Sequence, residues 1–130
     1  MTNQELIKIA KEAMAHAYVP YSKFKVGAAL LTRDGKVFTG CNVENASFGA
    51  TNCAERTAIF KAISEGERDF VKLAVVSHTD AFTYPCGICR QVIAELLPEA
   101  TLIFSHKDET QELTLNDILP YQFDSNLLND

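Results

Sequence analysis

The sequence predicts an α/β fold, a mixed five-stranded sheet with helices packed on it, and three observations carry that expectation. Segments of helical and strand pattern alternate in the order α-β-β-α-β-α-β-β. An Asp-Gly pair, a strong hairpin signal, joins the first two strands. At 130 residues, 47% hydrophobic and 22% charged, the chain reads as one ordinary globular domain over residues 1–130, not a disordered or low-complexity one.

Each element has a local reason. Thr2-Asn3-Gln4-Glu5 has capping-box spacing, and Leu6, Ile9, Ala10, Ala13 and Ala17 then recur at helical intervals until Pro20 closes the segment. Val26 to Leu31 and Val37 to Val43 are apolar, β-prone runs joined by Arg33-Asp34-Gly35-Lys36. Asn45 to Asn52 is small and polar, hence a loop; the second helix opens at Cys53 and stops near Gly66. Phe70 to Ser77 reads as a strand, Thr79 to Pro85 as a loop, Gly87 to Leu97 as a helix ended by Pro98, and Thr101 to Ser105 as a strand. A short strand around Leu113 and a helical turn near Asp117 to Leu119 complete the order. Ligands of such sheets collect where loops leave strand ends and helices begin. Cys53, Cys86 and Cys89 lie at such points, so two helix N-termini are expected to converge on one site.

Composition narrows the partners. Twelve Lys and Arg against 17 Asp and Glu give a net charge of −5, and no basic cluster exceeds the loose Lys23, Lys25 pair, which argues against nucleic acid. The N-terminus lacks the basic-then-apolar pattern of a signal peptide, and no apolar run approaches the roughly 20 residues of a membrane span. A cytoplasmic protein with no membrane partner is expected. A domain of this size buries about two-thirds of its unfolded surface and needs no disulfide staples. Its four cysteines therefore read as metal ligands, redox groups or core filling. There is no Gly-rich phosphate loop and no hydrolase elbow, and His16, His78 and His106 are scattered, as surface or structural histidines are.

Pro85-Cys86-Gly87-Ile88-Cys89 places two thiols three residues apart on one face of a helical turn, which suits two ligands of a tetrahedral ion. By itself the pair also fits a thioredoxin-like redox couple. Cys53-Ala54-Glu55 adds a third thiol and, two residues on, a carboxylate. Three protein ligands with an open fourth position and a proton carrier describe a catalytic zinc site, since structural zinc closes its shell with four ligands. Cys41, in a predicted strand, reads as a small buried hydrophobe. Three thiolates around Zn²⁺ leave a net negative charge that weakens the metal as a Lewis acid. Two helix N-termini and Arg56, donating to thiolate sulfur, are placed to withdraw it; the alternative for Arg56 is a plain surface charge.

A ligand-x-Glu element followed by Pro-Cys-x-x-Cys is the zinc-deaminase signature. The stretches Asn52-Cys53-Ala54-Glu55-Arg56-Thr57-Ala58 and Pro85-Cys86-Gly87-Ile88-Cys89-Arg90-Gln91 resemble the short, homotetrameric cytidine deaminases. So do Pro20 to Ala29 and Gly40 to Ala46, and the similarity covers nearly the whole chain. The resemblance implies a three-layer α/β/α fold with one zinc per subunit on Cys53, Cys86 and Cys89. It implies attack of metal-activated water at C4 of cytosine, with Glu55 protonating N3 and passing a proton to departing ammonia. Cytidine and 2′-deoxycytidine would become uridine and 2′-deoxyuridine in pyrimidine salvage. Asn42 and Glu44, alternating at a strand end, would bind the ribose 3′-hydroxyl, and the carboxylate favours a nucleoside over a nucleotide. Phe24 would pack on the pyrimidine ring and Ala54 offer its backbone amide to the base. Phe48 stands where family members often have Tyr, and Phe123 aligns loosely with an aromatic that reaches a neighbouring subunit's pocket. A blasticidin-type deaminase shares the cysteines, Glu and length, but the Asn42-x-Glu44 fork and Phe24 favour a ribose and a flat base. A zinc-stabilised binding module without catalysis would need a fourth ligand, which only Cys41 could supply as a thiol.

Overall fold

The structure, a computed structural model, describes residues 1–128. The first helix, α1 (Asn3–Met14), starts where the sequence sets its cap: Thr2 Oγ1 accepts the Glu5 N–H at 3.1 Å. It stops three residues short of Ala17. The Tyr18 N–H donates to the Asn42 carbonyl at 2.9 Å, and the Tyr18 carbonyl accepts from the Glu44 N–H at 2.8 Å. Helical backbone at Tyr18 could not make these long-range bonds, so tertiary pairing overrides the helix-forming alanines.

The strands β1 (Val26–Thr32) and β2 (Val37–Cys41) form the expected hairpin, with Gly35 at φ +90° and Thr32 Oγ1 accepting the Lys36 N–H at 2.9 Å. The β2 strand ends two residues before Val43, which bridges instead to Tyr18 and Asn52. Next come α2 (Ala54–Ser64), β3 (Phe70–Ser77), α3 (Gly87–Leu96), β4 (Thr101–His106), β5 (Glu109–Leu113) and the single turn α4 (Leu115–Ile118). Short 3₁₀ turns cover Phe48–Ala50 and Ser125–Leu128.

The sheet order is β2-β1-β3-β4-β5, with β3 and β4 parallel and every other pair antiparallel, so the mixed five-stranded sheet is as expected. Because side chains alternate along a strand, β1 feeds both faces. Ala29 and Leu31, with Ala74, Val76 and Ile103, pack beneath Leu6, Ile7 and Ala10 of α1. On the opposite face Ala28, Leu30, Leu73, Val75, Leu102 and Phe104 pack under Ala58 and Ile59 of α2 and Ile93 of α3. These are the three layers. Truncating a fully buried member such as Leu73 would cost about 2–5 kcal/mol. Cys41 was expected in this core. It is only half-buried, because β2 is an edge strand.

Two glycines set how closely helices approach the sheet. A Cβ at Gly27 would stand 2.0 Å from the Ala10 carbonyl oxygen of α1, and one at Gly40 would stand 2.3 Å from the Ala54 carbonyl oxygen and 2.5 Å from the Ala58 nitrogen of α2. Gly40 thus seats the first turn of α2 directly on β2. Among the described residues no helix is long and apolar enough to cross a membrane.

Candidate metal centre and active site

Cys53 and Cys86 are the N-cap residues of α2 and α3, in extended conformation with φ of −73° and −67°. Ser, Thr, Asn or Asp normally fill this position and bond a free helix N–H. Neither thiol does so here, and both turn instead toward one point. Cys89 lies one turn into α3 and is fully buried. The three sulfurs are within 4.8 Å of one another, and Cys53 Sγ stands 3.7 Å from Cys86 Sγ.

Thiolates about 2.3 Å from a tetrahedral zinc stand about 3.8 Å apart. The Cys53–Cys86 separation fits that ion. Arg56 Nη2 donates to Cys53 Sγ at 3.4 Å, while Arg56 Nε is buried without a hydrogen-bond partner. A guanidinium directed at sulfur favours a thiolate over a thiol as its counterpart. Hydrogen bonding from Cys89, then from Arg56 and Cys86, pulls the Cys53 thiol down to about 5 despite its burial. The same bond, with burial, pushes Cys89 up. The donor set is three sulfurs, and Cys41 is outside it, so the structure offers no fourth cysteine to close the shell.

Beside the sulfurs lies a cavity of about 190 Å³ lined by Phe24, Asn42, Cys53, Ala54, Glu55 and Cys86, among others. Glu55, in the first turn of α2, is 4% exposed, and burial pushes its carboxyl up to about 7. It can therefore hold or release a proton near neutrality. Asn42 spans backbone, its Oδ1 accepting the Val26 N–H at 2.9 Å and its Nδ2 donating to the Phe24 carbonyl at 2.6 Å. Glu44 lines a neighbouring hollow with Tyr21, Ser22, Phe48 and Thr51, and its Oε1 accepts the Tyr21 and Ser22 N–H groups at 3.0 and 3.1 Å. The expected shared strand face is absent, since β2 has already ended; Thr51 borders both hollows.

Phe48 is 76% exposed beside Tyr21, and Phe123 is 56% exposed in a groove against α3, both outside the cavity. Sequence reasoning missed the cavity walls Val26, Thr51, Thr83 and Tyr84. Thr83 and Tyr84 directly precede Pro85-Cys86, and that adjacency was the available signal.

Three thiols and a buried carboxylate, presented by two helix starts over one cavity in a three-layer fold, define the class of zinc-binding deaminases. The family model for the cytidine and deoxycytidylate deaminase zinc-binding region matches residues 1–105, and the chain belongs to that family. It is 54% identical over 132 aligned positions to a cytidine deaminase of Halalkalibacterium halodurans, covering all of both chains. Against a cytidine deaminase of Sporosarcina psychrophila the identity is 50% over 125 residues, covering 95% of this chain and 92% of that one. The crystal structure of cytidine deaminase from Burkholderia pseudomallei superimposes with a TM-score of 0.91 at 50% identity, over 95% of this chain and 100% of the other.

Proposed function

We propose that the protein is a zinc-dependent cytidine deaminase, converting cytidine and 2′-deoxycytidine to uridine and 2′-deoxyuridine with release of ammonia. The observation that carries this reading is Glu55, a carboxyl only 4% exposed on the cavity wall, two residues from one thiol of a three-sulfur centre. Cys53, Cys86 and Cys89 would hold the zinc, which would supply a Lewis acid for activating water. Glu55 would take one proton from water and deliver it to N3 of the base, then take the second from the hydroxyl added at C4 and hand it to the leaving amine. Arg56 draws charge from Cys53 Sγ, and the N-termini of α2 and α3 add their partial positive charge.

Phe24 packs on the pyrimidine and the Ala54 N–H meets the base. Asn42 retains one unused Nδ2 hydrogen, which donates to a ribose hydroxyl oxygen, and Glu44 an oxygen free of the two backbone bonds, which accepts a ribose O–H. The Glu44 carboxylate disfavours a phosphate there, so the substrate is a nucleoside. Exposed Phe48 and Phe123 support the homotetramer, in which each reaches a neighbour's site. The setting is pyrimidine salvage in the cytoplasm. Loss of cytidine absorbance by the zinc-loaded protein, abolished by a chelator and restored by zinc, tests the activity, with deoxycytidylate as the comparison substrate. Chelator-insensitive turnover or preference for the nucleotide would overturn the reading, and a monomer by light scattering would overturn the assembly.

A further inference from the structure

We propose that His78 is a positioning residue of this site, fixing the Phe24 wall from outside the cavity through one backbone hydrogen bond and one ring contact. The inference rests on the reading of Phe24 as the ring that packs on the base. Phe24 and Lys25 precede β1 and belong to no strand. They follow Lys23, whose φ of +62° is a left-handed conformation that a residue with a Cβ adopts at a cost. Such a segment holds its shape only where its surroundings over-determine it.

Side chains supply the restraint. The Phe24 N–H donates to Ser22 Oγ at 3.0 Å, and its carbonyl accepts from Asn42 Nδ2. Both backbone groups of Lys25 go to one residue: its N–H donates to His78 Nδ1 at 3.1 Å, and its carbonyl accepts the His78 N–H at 3.2 Å. His78 is the first residue after β3, so it extends the Val26 to Ser77 pairing by one step, with an imidazole nitrogen standing in for a carbonyl. Nδ1 also stands 3.5 Å from the Lys25 carbonyl oxygen; the shorter contact to the Lys25 N–H is made by the tautomer protonated on Nε2. The imidazole also meets the Phe24 ring edge to face, with centroids 5.5 Å apart and planes at 63°. His78 is exposed and does not line the cavity, so any effect on substrate passes through Phe24. Asn42 holds the segment by the Phe24 carbonyl, and His78 holds it by the Lys25 backbone and by the edge of the Phe24 ring.

Steady-state kinetics of the zinc-loaded enzyme on cytidine separate these contacts. His78→Phe keeps a ring and loses the acceptor; His78→Asn keeps an acceptor at the Nδ1 position and loses the ring. Each should raise KM about three- to five-fold and His78→Ala about ten-fold, with kcat within two-fold of the parent, because a wall that packs equally on substrate and transition state contributes uniform binding. In a Phe24→Leu background, itself raised in KM, His78→Ala should add less than two-fold. A KM for His78→Ala within two-fold of the parent, a loss confined to kcat, or an undiminished ten-fold rise on top of Phe24→Leu would overturn the proposal while the reading of Phe24 stands. An unchanged KM in Phe24→Leu would remove the reading of Phe24, and the role of His78 with it.

Discussion

Replacing Gly40 by alanine should dismantle the metal centre from a position that touches neither metal nor substrate. The added Cβ would sit 2.3 Å from the Ala54 carbonyl oxygen and 2.5 Å from the Ala58 nitrogen, both rigid backbone, where ordinary contact begins at 3.4 Å. Relief therefore needs a displacement of about 1 Å between β2 and the first turn of α2. If α2 yields, Cys53 and Glu55 move while Cys86 and Cys89, on α3, do not. The 3.7 Å separation of the Cys53 and Cys86 sulfurs then leaves the roughly ±0.2 Å tolerance of a metal–ligand bond. If the edge strand β2 yields instead, Asn42 pulls on Phe24 and Val26. Either way a misplacement of about 1 Å should cost roughly 100-fold in kcat/KM. Overpacking adds about 1–3 kcal/mol of lost stability, a Tm lower by roughly 4–12 °C in a chain of this length. Gly27→Ala is the comparison, since its clash is with α1 on the opposite face of the sheet. It should lower Tm similarly while keeping zinc. Zinc content by elemental analysis, cytidine turnover and thermal melts of both variants decide the matter. If Gly40→Ala keeps metal and activity as well as Gly27→Ala does, the steric argument is wrong.

Other expectations are more direct. Glu55→Gln should keep fold and zinc content but lose roughly 10²–10⁴-fold in kcat, the usual worth of a positioned proton carrier; near-normal turnover would exclude that role. Arg56→Ala should weaken zinc retention about 10- to 100-fold, read as faster transfer of zinc to a coloured chelator, and an unchanged rate would return Arg56 to an ordinary cation. Glu44 is held below its ordinary value by hydrogen bonds, chiefly from Ser22 and then from Tyr21. A depressed carboxyl supports its loop above the unfolded value of 4.5 and releases it as pH falls through the lower folded value. The Tyr21 and Ser22 amide resonances should therefore shift with a midpoint below 4.5 and lose that titration in Glu44→Gln; a midpoint at or above 4.5 would contradict the geometry.

The sequence was most informative where causes are local. Both ends of β3 and the openings of α2 and α3 at cysteines were legible, because turn residues and strand patterns bracket them. The grouping of three sulfurs was legible for the same reason: two share a helical turn and the third opens a helix beside a carboxylate. The end of α1 was not, since Ala15 to Ala17 favour helix locally and only the remote pairing of Tyr18 with Asn42 and Glu44 stops it. Nor was the grip of Asn42 and His78 on the segment around Phe24, where a side-chain atom replaces a backbone one and leaves no periodicity to read. Cys41 was misplaced because burial depends on strand order in the sheet, and β2 proved to be an edge.

The two uncapped helix starts set stability against activity. Serine at position 53 or 86 would be the better N-cap, worth about 1 kcal/mol to its helix, and a one-atom change from sulfur to oxygen would supply it. The same change removes one of the three sulfurs placed to hold a metal ion. Stabilisation guided by folding free energy alone would choose serine at both positions and yield a sturdier, inert protein.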